Sequence, residues 1–184
     1  QQFLSNSLEN YCWFLGFVMF GLLFKRIISK YLSLFLYGLL NRDKSIDNKT
    51  FDELLIKPIA FLVLLIFIYL GSLNISFPNE LNFETKNINI SLILSKAFTI
   101  IVLFSISKIA LRFVDYFGIV FLKKADKTES KMDDQLIPFI IELGKIAVYI
   151  VLFFVLLSKI FDIDVTALAA GVGIGGIAIA MASK

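Results

Sequence analysis

Asp162-Ile-Asp-Val-Thr-Ala-Leu-Ala-Ala-Gly-Val-Gly-Ile-Gly-Gly-Ile-Ala-Ile-Ala-Met-Ala-Ser-Lys184 closes the chain, and its reading decides the fold. Gly171, Gly173 and Gly176 satisfy the spacing GxGxxG. A dinucleotide site also needs a preceding strand, a following helix and a later acidic residue. Here the glycines sit inside an apolar run and the sequence stops eight residues after Gly176, so that reading fails. Gly171 and Gly175 instead make GxxxG, a spacing that lets membrane helices approach closely.

On a helical projection with Ile177 at zero, Met181, Ile174, Ala170 and Gly173 fall within about 60° of it. Gly171, Gly175, Ala178 and Ala182 form one flank, and Ala169, Gly176 and Ala180 the other. Leu168, Val172 and Ile179 occupy the back. A helix packed on one partner needs one small flank. Two small flanks suit a ring in which each copy meets identical neighbours on both sides. A Gly/Ala-rich helix packed inside one protomer is the other reading, and the projection leaves both open.

The rest of the chain sets the environment. It has 184 residues, 58% of them hydrophobic and 18% charged, with mean hydropathy +0.84. Soluble domains average roughly 45–50% apolar, and a globule of this size has no interior to hide the excess. An all-α membrane protein is the class that fits. The sequence has no His, which excludes Ser-His-Asp catalysis and His-ligated metal, and no cofactor motif is found. Cys12 is the single cysteine, so an internal disulfide is impossible. A net charge of +3 with basic residues between apolar runs gives no nucleic-acid stripe. The chain starts at Gln1 without Met and stops after an apolar run, so a further C-terminal region is expected.

A spanning helix needs about 20 mostly apolar residues. Five segments qualify: Leu8 to Phe24, Pro58 to Leu73, Leu92 to Ser107, Ile137 to Leu157 and Val165 to Ser183. Pro58 and Pro138 fall near the starts of the second and fourth, where a missing N–H is tolerated. Asp133 and Asp134, and Asp164, are expected N-caps for the fourth and fifth. Ile27 to Leu40 is short and broken by Lys30, so it reads as a continuation of the first helix or a turn along the cytoplasmic face; a sixth span competes.

Lys and Arg alternate between connections. The first connection carries Lys25, Arg26, Lys30, Arg42, Lys44, Lys49 and Lys57, and the third carries Lys123, Lys124, Lys127 and Lys131. The N-terminal tail carries none, the second connection Lys86 and Lys96, and the fourth Lys159. Basic residues mark cytoplasmic loops, so the N-terminus is expected outside and the C-terminus in the cytoplasm. A sixth span would spoil the alternation. Arg112 and Asp115 can pair at i,i+3, as can Glu142 and Lys145. Lys108 and Arg112 emerge at the cytoplasmic interface, suited to membrane-lipid contact or tension sensing.

From Lys131 onward the sequence resembles the small-conductance mechanosensitive channel (MscS-like) family. The features are Met132-Asp-Asp-Gln-Leu-Ile-Pro138, an apolar helix, Phe161-Asp-Ile-Asp-Val-Thr166 and the Gly/Ala rows with bulky apolar residues four apart. Residues 1–130 match only in plan, as peripheral helices added before a core of 131–184, in the manner of larger bacterial members. The resemblance implies a homoheptamer in the bacterial inner membrane, with helix 165–184 around the pore. Ile177 and Met181 fall at the two apolar gate rings. Gly171, Gly173, Gly175, Gly176, Ala178, Ala180 and Ala182 are the packing positions, and Ser183-Lys184 lies near the family's kink. The implied function is a tension-opened channel for ions and small osmolytes during hypo-osmotic stress. A secondary transporter, and a non-conducting scaffold using the loop Asn74 to Asn89, are the alternatives.

The charge alternation is testable by topology. In a Cys12→Ala background, an impermeant thiol reagent added outside should label Asn79→Cys and leave Thr128→Cys unmodified. The reverse pattern would overturn the orientation.

Overall fold

The computed structural model describes residues 2–3, 6–40, 47–73, 75, 90–125 and 133–182. Two short strands, β1 (Gln2–Phe3) and β2 (Asn6–Ser7), pair antiparallel. Everything else with regular structure is helical: α1 (Leu8–Leu40), α2 (Asn48–Phe51), a π-helical turn (Asp52–Ile56), α3 (Lys57–Ser72), α4 (Ile90–Ala125), α5 (Asp133–Phe161) and α6 (Thr166–Ala182). Hydrocarbon offers no partner to a bare N–H or C=O, so a spanning backbone must pair with itself, as a helix does. Among the described residues, four helical stretches are long and apolar enough to cross a membrane: Leu8–Gly38, Lys49–Ser72, Ile90–Lys123 and Leu136–Phe161. The protein is therefore an all-α membrane protein. Helix α6 is shorter, at 17 residues, or about 25 Å.

Ile27 to Leu40 continues α1 without a break, giving one helix of 33 residues. Ser7 starts it, its hydroxyl accepting the Asn10 N–H at 3.3 Å. Asp47 starts α2 in the same way, accepting from Thr50 through its side chain and from Phe51 through its carbonyl. The π-helical turn lies immediately before Pro58. Proline lacks an N–H and its ring crowds the carbonyl four residues back, so the chain widens there, and Lys57 N–H bonds back to the Asp52 carbonyl. Pro138 lies near the start of the apolar stretch Leu136–Phe161, as expected, but not in the first turn of its helix. Helix α5 begins at Asp133, which places Pro138 inside the helix, in its second turn. The side chains of Asp133 and Asp134 lie outside the described residues, as do Ser183, Lys184 and the loop 74–89 apart from Ile75.

The long helices alternate in direction. In α1 and α3, Gly21 faces Phe67 and Gly71 faces Phe14 and Phe17, so the two run antiparallel. Tyr69 of α3 stacks on Phe98 of α4 at 5.7 Å, while Phe51 meets Tyr116 at 5.7 Å, again antiparallel. Gly118 of α4 faces Ile141 of α5, and Gly144 of α5 faces Val114. The first and third connections thus share one end of the bundle, the end where the sequence concentrates its basic residues.

The buried core lies at that same basic end. Phe51, Leu55, Ile56 and Tyr116 are buried together, flanked by Leu32, Leu36 and Tyr37 from α1 and by Phe113 and Val120 from α4. The extension of α1 past Ile27 exists to cover this cluster. Phe51 sits edge-on between Tyr37 and Tyr116. Ser33 of α1 donates to Asp52, fastening the extension to the π-helical turn. The Tyr116 hydroxyl is buried, with no hydrogen-bond partner among the described residues.

Removing the central ring should therefore be costly and removing the hydroxyl should not. Phe51→Ala is expected to destabilise by about 3–5 kcal/mol, the usual cost of deleting a buried ring. Tyr116→Phe is expected to be neutral or stabilising, since it removes an unsatisfied polar group and keeps the ring. Thermal unfolding of the detergent-solubilised protein, followed by size-exclusion fluorescence, measures both.

Candidate functional site

Helix α6 carries the residues singled out by the sequence, and the structure leaves all of them open. Every residue from Thr166 to Ala182 is exposed. Ile177 is 64% exposed and Met181 75%, values that place them free of any covering side chain. A Cβ built on Gly171, Gly173, Gly175 or Gly176 meets nothing within 4 Å. By contrast, a Cβ on Gly118 would come within 2.5 Å of Ile141, and one on Gly21 within 2.7 Å of Phe67. Gly21, Gly71, Gly118 and Gly144 of the bundle are occupied by neighbouring helices; Gly16 and Gly38 of α1 and, among the described residues, all four glycines of α6 are not. Ala178, Ala180 and Ala182 are likewise exposed, on flanks of the same helix.

What the protomer fixes is the root of α6. Asp162 ends α5 in the left-handed conformation, φ 56°, which Asp tolerates better than most residues. Lys96 of α4 holds this turn from the side. Its ammonium donates to the Ile160 carbonyl at 2.6 Å and to the Asp162 carboxylate at 3.0 Å. The first of these satisfies a carbonyl left open at the end of α5. Ile163 N–H reaches back to the Leu157 carbonyl at 3.3 Å. Two residues on, Asp164 accepts the Thr166 N–H at 2.9 Å and so starts α6, as its sequence position suggests.

Thr166, through its hydroxyl first and its amide second, holds the Asp164 carboxyl below the ordinary carboxylate range. A depressed folded value means that the cap's contribution is complete above the unfolded value and is lost as pH falls through the folded one.

Charges at the basic end form a second linkage. Arg112 and Asp115 pair at 3.3 Å within α4, as their spacing implies. Asp115 also accepts from Lys145 of α5 at 3.0 Å. Glu142 is the more distant partner of Lys145, at 3.9 Å and largely exposed, so the expected Glu142–Lys145 pair is secondary to an inter-helix one. Lys108 lies one turn before Arg112, exposed and bordering a cavity with Lys25 and Lys57. Sequence reasoning missed the two inter-helix contacts, Lys96–Asp162 and Lys145–Asp115. The available signal was that each lysine interrupts an apolar run and needs an acidic partner at its own depth. Among the described residues no cluster of three or more metal-ligating side chains is present.

Residues 145–184 match the family described as mechanosensitive ion channel, transmembrane helices 2/3. That match covers the inner part of α5, the elbow at Asp162 and all of α6. The chain is also 26% identical, over 98% of its length, to the small-conductance mechanosensitive channel MscMJ of Methanocaldococcus jannaschii. It spans about half of that relative, 49% of its length. No solved structure gives a significant match.

The Lys96 clamp yields a local expectation. Lys96→Gln should speed amide hydrogen exchange at Ile163 and Thr166 while leaving the α1–α3 hairpin protected. Lys96→Arg, which keeps a cation there, should restore protection. Unchanged exchange in Lys96→Gln would mean that the elbow is held by its backbone alone.

Proposed function

We propose that the chain is an MscS-like mechanosensitive channel subunit, the membrane part of a channel opened by bilayer tension. The observation that carries this reading is α6: a helix with small residues on both flanks and, among the described residues, no covering side chain in its own protomer. Exposed Gly and Ala rows gain little from lipid but allow close backbone contact with another helix. Copies of α6 arranged in a ring supply that contact on both flanks at once. A homoheptamer is the stoichiometry implied by the family resemblance.

In such a ring, Ile177 and Met181 face the axis as two apolar constrictions, separated by about 6 Å of helix rise. An apolar constriction excludes ions because water in it loses hydrogen bonds without replacement. Helices α1 to α4 form the peripheral, lipid-facing part within residues 1–130. The segment 131–184, with α5 and α6, forms the core. Tension favours whichever state occupies more membrane area, so a change in tilt of the outer helices biases the equilibrium. The basic end of the bundle faces the cytoplasm, in keeping with the positive-inside rule. The role is conduction of ions and small osmolytes across the cell membrane under hypo-osmotic stress, and it requires no catalysis or cofactor.

The gate is tested by placing a hydroxyl on each face of α6. Ile177→Ser should wet the constriction and lower the tension threshold in patch recordings under graded suction, with poor growth through leak. Ile179→Ser, on the opposite face, should leave the threshold in place. A lowered threshold in Ile179→Ser with none in Ile177→Ser would reverse the assigned pore face.

A further inference from the structure

A cavity of about 600 Å³ opens between α1, α3 and α4 at the basic end of the bundle. Its polar lining includes Lys25 and Ser29 from α1, Lys57 from α3, and Ser105, Lys108 and Arg112 from α4. Glu53, also on the wall, is held by Lys57 at 3.2 Å, and Arg112 is held by Asp115 at 3.3 Å. Among the described residues, Lys25 and Lys108 have no carboxylate within ion-pair reach. The cavity therefore carries excess positive charge. Its remaining wall is apolar, formed by Pro58, Ala60 and Phe61.

Depth identifies what such a cavity takes. Lys25 lies about 25 Å along α1 from Leu8, and Lys108 about 27 Å along α4 from Ile90, at 1.5 Å per residue. Lys57 starts α3, about 22 Å from its far end at Ser72. These distances bring all three lysines to one level, the hydrocarbon boundary of a bilayer about 30 Å thick. Unpaired cations at that level need an anion, and the anion available there is the headgroup phosphate of a lipid. An apolar wall beside the cations fits the glycerol and acyl part of the same molecule. A soluble phosphate would use the cations and leave that wall empty.

We propose that this cavity is a binding site for an anionic phospholipid of the cytoplasmic leaflet. Lys25 and Lys108 hold its phosphate, Ser29 and Ser105 supply hydroxyl donors, and the acyl chains lie along Pro58, Ala60 and Phe61. A lipid seated there bridges three helices of the peripheral bundle. The proposal concerns binding alone and stands apart from the channel reading, because its test needs no current.

The test is native mass spectrometry of the intact protein released from nanodiscs of phosphatidylglycerol and phosphatidylcholine with matched chains. The unaltered protein should retain phosphatidylglycerol in preference to phosphatidylcholine. Lys25→Gln with Lys108→Gln should cut that retention about tenfold, because each lysine near an anionic headgroup contributes severalfold. Lys25→Arg with Lys108→Arg should keep it. Arg26→Gln with Lys30→Gln removes the same charge from exposed positions of α1 and should leave retention unchanged. Equal losses in the two Gln pairs would reduce the effect to general surface charge and overturn the site. Equal retention of the two lipids would overturn its selectivity. Glycerol phosphate added to lipid-free protein in detergent should not raise the unfolding temperature; a rise that depends on Lys25 and Lys108 would assign the cavity to a soluble phosphate and overturn the lipid.

Discussion

Close approach of helix backbones at small residues is the contact on which this protein depends. Inside a bilayer, apolar side chains gain nothing by leaving lipid for another apolar side chain, so helices associate where they can pack tightly. The α1–α3 hairpin does so at Gly21 against Phe67 and at Gly71 against Phe14 and Phe17. The α4–α5 hairpin does so at Gly118 against Ile141 and at Gly144 against Val114. Each hairpin thus uses one glycine from either helix, set against a bulky partner on the other. Helix α6 is richer in glycine than any of these and, among the described residues, presents it to no neighbour in its own protomer. The same physics that explains the hairpins makes α6 the surface through which copies of the chain meet in the proposed ring.

Charged groups are placed where they cost least and tie most. Asp115 draws on Arg112 from its own helix and Lys145 from the next, at the basic end of the bundle. Lys96 joins α4 to the end of α5 at the opposite end. The α4–α5 hairpin is therefore pinned by one ionic contact near each end, with apolar packing between them. Partly exposed pairs of this kind contribute little to net stability; their geometric value is in fixing register. A shift of α5 by one turn, about 5.4 Å, would break both at once.

Much of this was legible in the sequence because it is written in local pattern. Apolar runs locate the long helices, the alternation of Lys and Arg assigns connections to the two ends of the bundle, and Arg112–Asp115 follows from spacing alone. The continuity of α1 through Ile27–Leu40 was only half legible. Its length depends on the core around Phe51, and that core is assembled from α1, the π-helical turn and α4. Pro138 was legible only in part: it marks the region of the helix start, but α5 begins at Asp133, so the proline sits past the first turn, where it removes one i→i−4 bond. Lys145–Asp115 and Lys96–Asp162 join residues 30 and 66 apart, and no periodicity encodes them. The cavity at Lys25, Lys57 and Lys108 is invisible in the same way, since its lining comes from three separate helices.

The elbow between α5 and α6 shows how an outer bundle can act on a helix that it does not touch. Among the described residues, α6 buries no side chain against the rest of the chain, so its direction is set where it is attached. That attachment is short: residues 162–165, with Asp162 in a left-handed turn and Asp164 starting the next helix. A single cation from α4 holds the turn through the Ile160 carbonyl and the Asp162 carboxylate. Helix α4 in turn packs on α3 through the Tyr69–Phe98 stack near the same end. Displacement of the outer hairpin can therefore reach α6 from α3 through α4 and Lys96 to the turn at Asp162, beside the path through the packed α4–α5 hairpin itself. A helix anchored at one end with a free surface amplifies a small rotation of its root into a large movement of its tip, and Ile177 and Met181 lie toward the tip. At 1.5 Å per residue they sit about 17 and 23 Å beyond Thr166, where a tilt of about 10° at the root moves them by about 3–4 Å. If copies of α6 meet in the proposed ring, a movement of that size is comparable with the diameter of a water molecule, which is the scale on which wetting of an apolar constriction is decided.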